Sequence, residues 1–97
     1  MQPVQVDRAS IGANWAQRGF SCEIWVDPPN RVWHDVRHEV DLLLLPIDGE
    51  LQVELPTRTI RLGAGDELAI PAHTRFTIRH RPDSSARWLH GYRVATA

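Results

Sequence analysis

Gly65-Asp66-Glu67-Leu68-Ala69-Ile70-Pro71-Ala72 is the stretch on which the fold turns. A glycine-bearing turn, Gly63-Ala64-Gly65-Asp66, feeds a short apolar run over residues 67–70, and a proline opens the loop at 71–74. That is the punctuation of a short β-strand between two loops. The same grammar continues upstream. Residues 42–47 form an unbroken apolar run, the signature of a strand buried on both faces, and Pro46 places its far end near an edge or a bulge. Asp48-Gly49 then reads as a type I′ hairpin turn. After it Leu51, Val53 and Leu55 alternate with Gln52 and Glu54, Pro56-Thr57 turns the chain, and Ile60 and Leu62 resume the alternation.

Downstream, Phe76 and Ile78 alternate with Arg75, Thr77 and Arg79. Residues 81–85 form a loop and residues 86–95 the last strand. Towards the N-terminus, residues 22–26 are rich in β-formers and stop at Asp27-Pro28-Pro29-Asn30, a breaker cluster. Residues 31–41 alternate enough to form one further strand. Residues 9–20 hold a short helix around Asn14-Trp15-Ala16-Gln17, limited by Gly12 and Gly19. About eight short strands at regular spacing, with no helical period among them, point to an all-β sandwich or barrel.

The chain is one domain long at 97 residues, and its net charge of -1 gives no general attraction to nucleic acid or an anionic membrane. All 11 basic residues are arginine, which excludes a Schiff-base or P-loop lysine on this chain. A single cysteine, Cys22, excludes an intrachain disulfide. It sits among apolar neighbours and reads as inert. Ser10, Ser21, Ser84 and Ser85 stand in no nucleophile-elbow pattern. Residues 1–8 carry no apolar leader segment, and the run at 42–47 is far short of the roughly 20 residues of a membrane helix. The expectation is a cytoplasmic protein.

Residues 30–80 resemble the paired motifs of the cupin superfamily, small jelly-roll barrels. In the first motif, Gly49 matches the closing glycine; counting back, Leu42 stands at the glutamate, His38 at the second histidine and Val36 at the first. In the second, Gly65 and Pro71 match, while His73 replaces a glycine, Phe76 the histidine and His80 the asparagine. The resemblance implies an all-β cupin-type jelly-roll β-barrel over residues 21–97, with residues 1–20 a short helical or irregular extension packed on it. It also implies where a metal would sit: three histidines and a glutamate pointing inward. Here Val36, Leu42 and Phe76 offer no donor atom, and His38 alone does not hold an ion. No cofactor is therefore expected.

A displaced divalent transition-metal site would draw on His38 with His34, Asp41 or His90. Strand alternation places His34 on the face of His38, but about 13 Å away along the strand, so a bulge is needed to join them. Asp41 faces away unless a bulge turns it inward. His90 alternates with Trp88 and Tyr92 on a face the sequence leaves open, and His73 lies in a rim loop. Val36, Leu42 and Phe76 should converge, giving a filled core or a dry pocket; the small interior of such a barrel favours filling. His38 would then be a general base, a polar anchor for a ligand, or a hydrogen-bonded core histidine.

Trp25, Trp33 and Trp88 have large apolar neighbours at odd and even positions, which favours a homodimer covering an outer sheet face; cupins commonly dimerise. Arg75, Arg79, Arg81 and Arg87 read as a solvated face that blunts an edge strand rather than an anion site. The functional expectation is a small-molecule binding or regulatory module without the metal, with His38, Val36, Leu42, Phe76 and His90 around a small apolar or weakly polar ligand. The alternatives are a metal-dependent enzyme of dioxygenase or isomerase type built around His38, and a dimeric structural module. Neither nucleic acid nor a membrane is an expected partner.

Overall fold

A computed structural model describes residues 6–28, 32–80 and 86–94. One helix, α1 (Arg8–Gln17), precedes eight strands: β1 (Glu23–Asp27), β2 (Val32–Val36), β3 (Leu42–Asp48), β4 (Leu51–Glu54), β5 (Thr59–Leu62), β6 (Leu68–Ile70), β7 (Phe76–His80) and β8 (Ala86–Tyr92). The strands pair antiparallel into two four-stranded sheets, ordered β1-β8-β3-β6 and β2-β7-β4-β5. The chain changes sheet at every connection except the β4–β5 hairpin, which is jelly-roll topology. Among the described residues, no helix is long and apolar enough to cross a membrane.

β3 explains its own composition. Leu42 and Leu44 face the space between the sheets, with Leu51, Val53, Ile70, Phe76, Ile78 and Trp88. Leu43 and Leu45 face the other way, into a second cluster with Trp15, Phe20 and Leu89. A strand covered on both faces has no polar alternation to show. The register of β3 against β8 shifts between Pro46 and Asp48, the irregularity that Pro46 foretells.

The helix starts earlier than the sequence suggests. The Asp7 carboxylate accepts from the Ala9 and Ser10 amides (3.1 and 3.3 Å), a cap that satisfies the first turn and carries the helix through Gly12. Trp15, its buried residue, reaches down to the outer face of β3 and β8. The Trp15 indole N–H donates to Glu67 (2.8 Å), and Arg18 meets both Glu67 oxygens at 3.0 Å.

Two further expectations are corrected. Asp48-Gly49 does not close a hairpin. β3 already has β6 and β8 on its two sides, so the turn carries the chain to the opposite sheet. Gly49 alone takes a positive φ (80°), where type I′ needs two. Asp48 instead accepts from the Arg87 amide and guanidinium (3.0 and 2.7 Å), pinning the crossing to β8. The strand read over residues 31–41 ends at Val36, after which the chain leaves the sheet for a rim loop; there the His73 amide donates to the His38 carbonyl (2.8 Å). His73 takes a φ of 66°, the left-handed conformation that accounts for a glycine at this place in the motif.

Gly91 makes the close approach of α1 possible. A Cβ on Gly91 would overlap the Ser21 carbonyl oxygen and stand 2.8 Å from Trp15 Cε3. Gly91→Ala should cost about 1–3 kcal/mol in urea unfolding. Gly12→Ala, whose Cβ would meet nothing nearer than Cys22 at 4.0 Å, should stabilise by about 0.5–1 kcal/mol, since alanine replaces glycine inside a helix.

Candidate functional site

Cross-strand register decides what faces inward. Glu23, Trp25 and Asp27 of β1 stand opposite His90, Trp88 and Ala86 of β8. Trp88, Ala86 and β3's Leu42 and Leu44 belong to the cluster between the sheets, so this alternate set is the inner one. From the other sheet come Trp33, Val36, Phe76 and Ile78. Together with His38 and Tyr92 they enclose an open-mouthed cavity with about 80 Å³ accessible to the centre of a water molecule. The interior is thus not filled, against the expectation from barrel size. Four ring systems, Trp25, Trp33, Trp88 and His90, meet edge to face along its wall.

Val36, His38, Leu42, Phe76 and His90 all line this one cavity. His34 and Asp41 do not. A register shift lies between Trp33 and Val36, and Asp35 takes a φ of 52° while its amide donates to Thr77 Oγ1 (3.0 Å). The extra residue resets the alternation, so Trp33 turns inward with Val36 and His34 is left exposed. Asp41 points outward and binds the Ala72 amide (2.8 Å) and Arg93 (3.1 Å). Trp25, Trp33 and Trp88, whose face the sequence leaves open, all line the cavity wall; Trp25 and Trp33 meet edge to face at 4.9 Å between centroids. The arginines of the expected basic edge are drawn into ion pairs: Arg75 with Asp35, Arg79 with Glu54, Arg87 with Asp48. Arg81 lies outside the described residues. Burial pushes the Cys22 thiol up, keeping it in its unreactive form.

The residue the sequence reading passed over is Asp27. It looks like the first member of a breaker cluster, yet it ends β1 and is 3% exposed. Its Oδ2 accepts from the Trp33 indole (2.8 Å) and the Trp88 indole (2.9 Å), and His80 Nε2 is a hydrogen-bond partner at 2.7 Å. Parity was the signal available: Glu23, Trp25 and Asp27 are one alternate set, so an inward Trp25 brings Asp27 with it.

At the mouth, His38 packs edge to face on Tyr92 (4.9 Å between centroids), and Tyr92 likewise on His90 (5.3 Å). His90 is 3% exposed, and its buried Nε2 has no hydrogen-bond partner; Glu23 Oε2 stands 3.6 Å away. Burial holds the His90 pKa below the usual histidine range, against the opposing pull of Glu23. Burial and Glu23 together push the Tyr92 phenol up.

This wall does not fit a metal. Of the positions where the motif pattern puts ligands, His38 alone carries a donor atom. Among the described residues, no three His, Cys, Asp or Glu side chains gather into a metal-binding group.

Neither a family model nor a curated protein matches the chain. Solved structures do. The DMSP lyase DddQ from Ruegeria pomeroyi DSS-3 superposes with a TM-score of 0.70 at 20% identity over 81% of this chain and 41% of its own. A cupin superfamily protein from Desulfitobacterium hafniense DCB-2 gives 0.70 at 19% identity, over 98% and 75%. The chain has the cupin fold. The polyketide cyclase RemF from Streptomyces resistomycificus is a further relative in shape, with a TM-score of 0.67 at 23% identity over 75% of this chain and 53% of its own. The chain therefore spans about half the length of the lyase and the cyclase. The cupin fold accounts for the inward convergence of Val36, His38, Leu42 and Phe76; their side chains determine what the cavity can do.

His90 gives a pH dependence with a definite sign. Its native pKa lies below the 6.5 of a free histidine, so the unfolded chain takes up the proton first as the pH falls. Stability held above about pH 6.5 should drop between there and the lower native pKa. Wild type should lose more stability than His90→Gln between about pH 7.5 and about pH 5.5 in urea unfolding followed by tryptophan fluorescence.

Proposed function

We propose that this cupin-fold chain is a small-molecule binding module that works without a metal. The observation that carries this reading is an open cavity walled by Trp25, Trp33, Trp88, Phe76 and Tyr92, with His38 and His90 as its imidazoles. Carbon surface of this kind drives binding by desolvation, and a few polar atoms set orientation. The accessible volume is about half of the roughly 150 Å³ cavity that takes a benzene ring, so the occupant presents a compact head and extends outward through the mouth. Among the cupin-fold relatives are a lyase and a cyclase, so the fold supports chemistry on small organic molecules elsewhere.

The test is a panel of compact organic molecules, neutral and charged, titrated against intrinsic tryptophan fluorescence. Wild type should give saturable changes that a chelator leaves unaltered. Val36→Phe should fill the cavity and weaken binding by about tenfold or more, while the exposed His34→Ala should bind as wild type. Val36→Phe binding as tightly as wild type would sink the reading.

A homodimer belongs to the same proposal. β1 is an edge strand whose outer face lies beyond the cover of α1, leaving Val26 63% exposed beside Ile24. An unpaired edge with apolar side chains is a pairing surface. Wild type should sediment as a dimer and Val26→Lys as a monomer with an unchanged circular dichroism spectrum.

A further inference from the structure

We infer that the cavity selects a small organic cation, the methylated-ammonium type of head, and that Asp27 behind its wall and Glu23 beside His90 supply the attraction. The inference rests on the small-molecule reading above and adds the charge of the ligand.

Among the described residues no arginine lines the cavity, and the chain contains no lysine; two carboxylates stand against residues that do line it, Glu23 beside His90 and Asp27 behind Trp33 and Trp88. Glu23, on the inner face of β1, is 60% exposed and stands 3.6 Å from His90 of the cavity wall. Asp27 lies one side-chain layer behind, under Trp33 and Trp88. Its partner of opposite type is His80, whose second nitrogen, Nδ1, is buried without a hydrogen-bond partner. Two indole N–H groups donate to Asp27 Oδ2, and His80 Nε2 faces the same oxygen at 2.7 Å. Burial keeps His90 uncharged at neutral pH.

The wall suits the same occupant. Trp33 and Trp88 both spend their single polar atom on Asp27, so each meets the cavity with ring carbon. A hydrogen bond given to a carboxylate leaves the indole ring richer in electrons, which strengthens its attraction for a cation. Trp25 and Tyr92 extend this surface towards the mouth. An anion would find no arginine among the described lining residues, with Glu23 and Asp27 close behind them. A methylated ammonium head seated at the open side of the cavity finds aromatic carbon for its methyl groups, with Glu23 and Asp27 close behind that wall.

The experiment titrates the full chain with choline, tetramethylammonium and 3,3-dimethylbutan-1-ol, the uncharged carbon counterpart of choline, by calorimetry and tryptophan fluorescence. Choline should bind at least about tenfold more tightly than its carbon counterpart. That ratio should fall several-fold in Glu23→Gln, an exposed change that leaves unfolding unaltered, and in Asp27→Asn where that variant folds. Equal or tighter binding of the carbon counterpart would overturn the cation assignment and leave the small-molecule reading standing. Silence from these probes and from the wider panel would overturn both. A ratio unchanged in Glu23→Gln and in folded Asp27→Asn would overturn the role given to the two carboxylates.

Discussion

One carboxylate oxygen ties the two sheets together. Asp27 stands on β1, Trp88 beside it on β8, and Trp33 and His80 on β2 and β7 of the opposite sheet. Burying a charge is unfavourable unless hydrogen bonds replace the lost water. Asp27 therefore dictates where three ring nitrogens point, and through them how the two sheets meet along their β1 and β2 edge. The cavity is a consequence. Two indoles held by their nitrogens at that angle cannot slide inward to close the gap that Val36, Leu42 and Phe76 leave.

The fold was legible because a jelly roll is written in short-range signals. The turns at Gly63 to Asp66 and Pro56-Thr57, the alternation through Leu51 and Val53, and the doubly covered run at Leu42 each specify themselves locally. The convergence of His38, Val36, Leu42, Phe76 and His90 on one cavity was legible too, because motif spacing places strands and strands place side chains. What failed depended on single residues breaking a period. One additional residue near Asp35 reverses the parity of β2, exchanging the expected His34 for Trp33. Nothing in Trp33-His34-Asp35-Val36 announces it, since asparagine, aspartate and histidine all tolerate a positive φ.

Asp27 was missed for a different reason. Asp-Pro-Pro-Asn is a loop signal, and for residues beyond Asp27 the signal is sound. The aspartate itself completes the strand before the loop begins. A buried carboxylate becomes visible only when its three partners, six, 53 and 61 residues away, are brought to it. Long-range satisfaction of polar groups is the part of a fold that local pattern carries least well.

Where the motif resemblance implies three histidines and a glutamate, this chain carries Val36, Leu42 and Phe76 beside His38, so apolar carbon faces the cavity there. Two carboxylates remain close by, Asp27 satisfied by hydrogen bonds and Glu23 by solvent. Neither requires a partner for the protein to fold, which keeps the cavity open rather than collapsed around an internal ion pair. Asp27, buried behind aromatic carbon, is little screened by water, while Glu23 acts on a ligand at short range from the solvent side. Selection at this site thus comes from field and carbon surface together, while His38 and the unpartnered Nε2 of His90 are left free to orient the ligand's polar end.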